Sequence, residues 1–151
     1  MDRFNSVDEI LDFAIAKEEK AHRFYLDLAR GTTKSHMKDV FTEFADQEAE
    51  HKSTLMAVKQ GKRPLPDVRK VPDLKLAEQV EDVEFSPDMN YQDALTLAMK
   101  QEKASFWLYT QLAQYADDAR IKSTFAALAQ EEARHKLYLE IEYDEHILTD
   151  N

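Results

Sequence analysis

An internal repeat at a fixed offset of 84 positions (102 − 18 = 84) governs what this 151-residue chain can fold into. Leu11, Ala14, Tyr25, Leu28, Phe41 and Ala45 recur as Leu95, Ala98, Tyr109, Leu112, Phe125 and Ala129. Ala29 and Ala49 recur in the same way as Ala113 and Ala133. Any two amphipathic segments share an apolar rhythm, so shared apolar positions alone would decide little. Here polar residues keep the offset as well, with no insertion: Glu18 with Glu102, Glu48 with Glu132, His51 with His135. The helix-start residues Ser6 and Thr33 answer to Asn90 and Asp117 at the same spacing. The chain reads as one unit written twice.

Each copy holds two segments whose core residues alternate in steps of four and three. In the first copy they are Val7, Leu11, Ala14, Glu18, Ala21, Tyr25, Leu28 and then Met37, Phe41, Phe44, Glu48, His51, Leu55, Val58. The second copy gives Tyr91, Leu95, Ala98, Glu102, Ser105, Tyr109, Leu112 and then Ile121, Phe125, Leu128, Glu132, His135, Leu139. That spacing is the stripe of a core-facing helix, and the seven-residue repeat predicts packing about 20° off antiparallel. Only two Gly and four Pro interrupt the chain, which favours long helices over sheet. The predicted fold is all-α: a four-helix bundle of two duplicated helical hairpins, forming one domain over residues 1–151.

Helices are expected at about 6–30, 33–60, 90–116 and 117–147. Ser6 with Glu9 and Asn90 with Asp93 have the spacing of capping boxes. Thr33 and Asp117 are the expected N-caps of the second and fourth helices, and Gly31 and Gly61 the expected C-terminal residues of positive φ. A crossover of about residues 61–89, containing Pro64, Pro66, Pro72 and Pro87, is too long for a hairpin turn. It predicts parallel second and third helices, with a short helix at Leu74–Phe85.

Six of the core positions carry charge or imidazole. Burying an isolated carboxylate costs several kcal/mol unless something compensates it, and a metal ion is the strongest compensation. Glu48 with His51 and Glu132 with His135 are three residues apart, so each pair shares a helix face. One such pair is weak grounds for a metal site, since Glu and His are common on solvated faces. Two pairs in a core seam, with Glu18 and Glu102 opposite, form the ligand set of di-iron and di-manganese carboxylate bundles. Four carboxylates balance two divalent ions, and oxygen donors with imidazole suit iron, or manganese, better than copper. The expected cofactor is therefore two Fe ions, with Mn the alternative.

The remaining polar residues divide into neighbours of that site and bystanders. Tyr25 and Tyr109 share the face of Glu18 and Glu102, so they are candidates to hydrogen-bond the ligand carboxylates. Core packing with a satisfied hydroxyl is the other reading. Glu19, Glu50 and Glu131 fall off the stripes and are expected in solvent. His22, four residues past Glu18, is weighed as an accessory ligand and read as a non-ligand because its repeat counterpart is Phe106. Trp107, whose counterpart is Arg23, is read as an interface or packing residue rather than a catalytic one. Glu142 and His146 are read as structural groups that water reaches.

Composition bounds the partners. Thirty acidic against 20 basic residues give a formal charge of −10, unsuited to nucleic-acid phosphates. With no cysteine, zinc-thiolate and iron–sulfur centres are excluded. No signal peptide and no membrane span are evident, so a cytoplasmic protein is expected.

The segments AIAKEEKAHRFYLDLA, FADQEAEH, AMKQEKASFWLYTQLA and ALAQEEARH together resemble the ferritin-like superfamily, most closely its rubrerythrin-like branch. The resemblance implies a ferritin-like bundle whose di-iron ligands are Glu18, Glu48, His51, Glu102, Glu132 and His135, with Glu48 and Glu132 as bridges. It implies reaction with H2O2 or O2, as a peroxidase or ferroxidase, and a homodimer. The branch's rubredoxin-like domain, which holds iron through four cysteines, has no counterpart in a chain without cysteine. Electrons are therefore expected from Fe(II) or from an external electron-donor protein. Rubrerythrin also carries an added glutamate three residues from its third-helix ligand, where this chain has Met99 and Ser105 either side of Glu102. The alternative expectation is a non-catalytic metal-binding or iron-handling protein.

Overall fold

A computed structural model describes residues 6–67, 86 and 89–150. Among them every regular element is helical: α1 (Val7–Gly31), α2 (Ser35–Gln60), α3 (Tyr91–Gln114) and α4 (Ala119–Asp150). The predicted short helix at Leu74–Phe85 and most of the crossover lie outside the described residues. Contacts divide the chain into two compact units, one built on α1 and α2, the other on α3 and α4. Each unit is a helical hairpin closed by a turn of a few residues, which leaves antiparallel packing as its only compact option. No described helix is long and apolar enough to cross a membrane.

In the α1–α2 hairpin the stripe residues close over one another. Leu11, Phe41, Ala45 and Leu55 are fully buried, and the Tyr25 ring stacks on Phe41 with centroids 6.2 Å apart. Phe44 meets Tyr25 edge-on at 5.4 Å, so this aromatic cluster fills the space between the helices. In the α3–α4 hairpin Leu95, Phe125 and Leu139 take the places of Leu11, Phe41 and Leu55 at 0% exposure, and Leu112 is buried as fully.

The helix starts follow the sequence in part. Ser6 Oγ accepts from the Glu9 N–H at 3.2 Å, and Asn90 Oδ1 accepts from the Asp93 N–H at 2.7 Å, as the capping spacing predicts. The other two caps move one residue on. Lys34, not Thr33, precedes α2 and offers no side-chain cap. The Thr32 hydroxyl accepts the Lys34 N–H instead, tying the loop to itself. In the second hairpin Asp118, not Asp117, caps α4, its Oδ1 accepting from the N–H groups of Arg120 and Ile121 at 3.0 Å. Both shifts are by one residue, so the repeat survives them. Asp118→Ala should cost about 1–2 kcal/mol in urea denaturation, whereas Asp117→Ala should change stability by less than ~0.5 kcal/mol.

The expected left-handed glycines are also revised. Gly31 is the last residue of α1, and the chain leaves the helix through Thr32 at φ −78°. Gly61 caps α2 at φ −71°, ordinary for any residue. Its lack of a side chain serves a different need: a Cβ there would lie 3.2 Å from the Ala57 carbonyl oxygen.

Candidate metal centre

The α1–α2 hairpin brings together Glu18 from α1 and Glu48 with His51 from α2. Their exposures are 1%, 1% and 2%, values otherwise reserved for the hydrocarbon core. His51 Nδ1 lies 3.3 Å from Glu48 Oε1 and 3.6 Å from Glu18 Oε2. One potential ligand atom from each residue falls within 4.8 Å of the other two. The α3–α4 hairpin repeats the arrangement with Glu102 from α3 and Glu132 with His135 from α4, exposed by 2%, 0% and 1%. His135 Nδ1 is again 3.6 Å from the carboxylate of the single glutamate, Glu102 Oε2. Ligand atoms of this triad also lie within 4.8 Å of one another. The duplication therefore reaches side-chain geometry.

Each triad contains two carboxylates and one imidazole shut away from water, a set that calls for positive charge. In the metal-free state a proton supplies some of it. Burial pulls the His51 imidazole down, but its hydrogen bonding and charge interaction with Glu18 and Glu48 outweigh burial and push it up to about 11. A divalent cation would replace that proton and satisfy several oxygens at once. The donor set fits iron or manganese: hard oxygens with one imidazole per triad and no thiolate.

Tyr25 and Tyr109, the predicted neighbours of the carboxylates, are both buried at 1% exposure. Tyr25 also belongs to the aromatic cluster with Phe24, Phe41 and Phe44. His22 turns to the backbone, its Nδ1 lying 2.7 Å from the Ala45 carbonyl oxygen as a donor that fastens α1 to α2. Glu50 is exposed, as its register predicts, while Glu19 is half-buried beside Arg23 and Lys52.

Glu142 departs from expectation. It is buried rather than washed by water, and it accepts a 2.6 Å hydrogen bond from the Tyr91 hydroxyl. The His146 ring meets Tyr91 edge-on at 5.0 Å. Burial first, and then this bond, push the Tyr91 phenol well above the usual range. A signal for this contact was present in sequence, since Tyr91 begins the third stripe and Glu142 continues the fourth. Their pairing needed the hairpin's register.

Comparison with known proteins bears on the same residues. The family model described as Rubrerythrin matches residues 9–143, a span that includes both triads. The chain is also similar to a solved structure from Thermotoga maritima, described as a putative ferritin-like diiron-carboxylate protein. The TM-score is 0.75 at 23% identity, covering 97% of this chain and 99% of that one. The shared fold is the expected all-α, ferritin-like four-helix bundle. A comparison with curated proteins finds no match.

Proposed function

The chain belongs to the rubrerythrin family, and from that premise we propose that its six buried ligand-type residues act together as one dinuclear iron centre. Glu18, Glu48 and His51 provide one half and Glu102, Glu132 and His135 the other. Manganese is the second ion suited to the same donors. The observation that carries this reading is the equivalence of the two triads, identical in residue type and in the 3.6 Å contact, with every member at most 2% exposed.

The proposed reaction is reduction of H2O2 or O2, with Fe(II) or an external electron-donor protein supplying electrons. A pair of irons supplies two electrons to such a substrate when bound. The protein's own part is to fix four carboxylates and two imidazoles in a water-poor core, so that the site is preorganised. Tyr25 and Tyr109 are proposed to hydrogen-bond the ligand carboxylates, which would limit their rotation and hold a proton close by. A second reading, metal holding without turnover, draws on Met99 and Ser105, which stand where rubrerythrin has its added glutamate.

Anaerobic loading with Fe(II) followed by O2 or H2O2 separates the two. Two irons per chain, rapid growth of a ferric charge-transfer band and repeated turnover with a reductant are the expected results. Two irons without turnover would leave only the second reading. A stoichiometry below two would remove both.

A further inference from the structure

A triad drawn from two helices closes only if those helices hold one register. Glu18 comes from α1, whereas Glu48 and His51 come from α2. Apolar contacts between the helices have no direction, so they fix a separation more firmly than an axial position. Directional bonds must supply the rest. Lys52 and Glu19 span the helices near the ligands at 3.5 Å, but through two long, partly exposed side chains that tolerate displacement.

His22 makes a bond of another kind. Its Nδ1 lies 2.7 Å from the Ala45 carbonyl oxygen. A carbonyl only accepts, so Nδ1 carries the proton and the bond ends on backbone. His22 is four residues past Glu18, and Ala45 is three residues before Glu48. Each anchor thus sits about one helical turn from a ligand. The ring is rigid and the acceptor belongs to the helix itself, so the bond holds α1 against α2 rather than one side-chain tip against another.

The second hairpin is a built-in comparison. The counterparts there are Phe106 and Ala129, and a phenyl ring has no N–H to donate. Phe106 is 38% exposed. The α3–α4 triad nonetheless reaches the same 3.6 Å contact between its histidine and its single glutamate. Forming a triad therefore does not require the clamp. What the clamp adds is resistance to opening.

On the dinuclear reading above, we propose that His22 is a positioning residue for the metal centre. It holds Glu18 in register with Glu48 and His51, so that the α1–α2 triad binds its ion more tightly than the α3–α4 triad does. Its effect passes through the Ala45 backbone, because its ring hydrogen-bonds none of the six ligand-type residues.

Calorimetric titration of the metal-free full chain with Mn(II) tests this. The wild type is expected to bind two ions per chain with two affinities. His22→Phe should weaken the tighter step about tenfold and leave the weaker within about threefold. His22→Asn, which keeps an N–H near the Nδ1 position and a similar helix propensity, should recover most of that loss. Phe106→His, which puts the same ring at the register of the Ala129 carbonyl, should tighten the weaker step about tenfold. A His22→Phe protein that melts at lower temperature yet binds both ions as the wild type does would show a purely structural role and overturn the proposal. So would equal affinities in the wild type. Phe106→His keeps the test decisive if His22→Phe does not fold, since an unchanged weaker step would also overturn it. Fewer than two ions bound by the wild type would instead remove the dinuclear reading, and this role for His22 with it.

Discussion

Glu48→Ala and Glu132→Ala are each expected to reduce bound metal from two ions per chain to one or none, with the helices intact. Glu48 and Glu132 are 1% and 0% exposed, so water cannot stand in for the missing oxygens. The affected triad is left with one carboxylate and one imidazole, too little charge and too few donors for an Fe(II) ion. The apolar stripes and caps that form the helices are untouched. Metal analysis after anaerobic Fe(II) loading and desalting reads the stoichiometry directly. Thermal melting gives a second measure, because a ligand bound only by the folded state stabilises it by RT ln(1 + [L]/Kd). At a thousandfold excess over Kd this is about 4 kcal/mol, on the order of 10 °C for a chain of this size. Each variant should lose much of that increment. Two ions retained by both variants would refute the ligand assignment.

The second large effect concerns the proton that occupies the α1–α2 triad before metal does. Metal binds neutral imidazole, so it must displace the proton that Glu18 and Glu48 hold on His51 up to about pH 11. Metal affinity should therefore rise about tenfold per pH unit as pH increases from 6.5 toward 11. The metal-free protein should show the opposite trend in stability. The folded value lies above the unfolded 6.5, so the contribution is complete below pH 6.5 and is lost as pH climbs toward 11. The loss should reach several kcal/mol, whereas the metal-loaded protein should show little of it. Urea denaturation of both forms at pH 6.5 and pH 9, with proton release measured on titration with Mn(II), checks both trends. Metal uptake with no proton released would overturn this account.

The sequence revealed helices and ligands more readily than helix ends. All six ligand-type residues stand on the same four-and-three rhythm as Leu11 and Phe125, so the step that buries those side chains buries these too. The one-residue shift from Thr33 and Asp117 could not be read in this way. It depends on which of two adjacent polar side chains reaches the loop N–H groups, as Thr32 and Asp118 do here. Glu142 shows a different limit. Its period was visible, but its burial depends on Tyr91, 51 positions earlier in sequence and opposite it only once α3 and α4 pack. Exposed Leu137, Ile141 and Leu148 interrupt no pattern, so nothing in the one-dimensional string marks them as uncovered.

The two hairpins agree at every ligand position but differ in how their helices are fastened together. His22 binds the Ala45 carbonyl three residues before Glu48, a contact that Phe106 in the other copy cannot make. Tyr91 and Glu142 lock the far end of α3 to α4, where the first copy has Val7 and Val58. Both hairpins are tied at that far end, the first by Lys59 with Asp12, but the first half carries in addition a clamp beside its ligands that its counterpart cannot form. Chemically matched halves with unequal mechanical support should load in sequence rather than together. A chain built by doubling can in this way hold one ion as a resident and treat the other as a visitor.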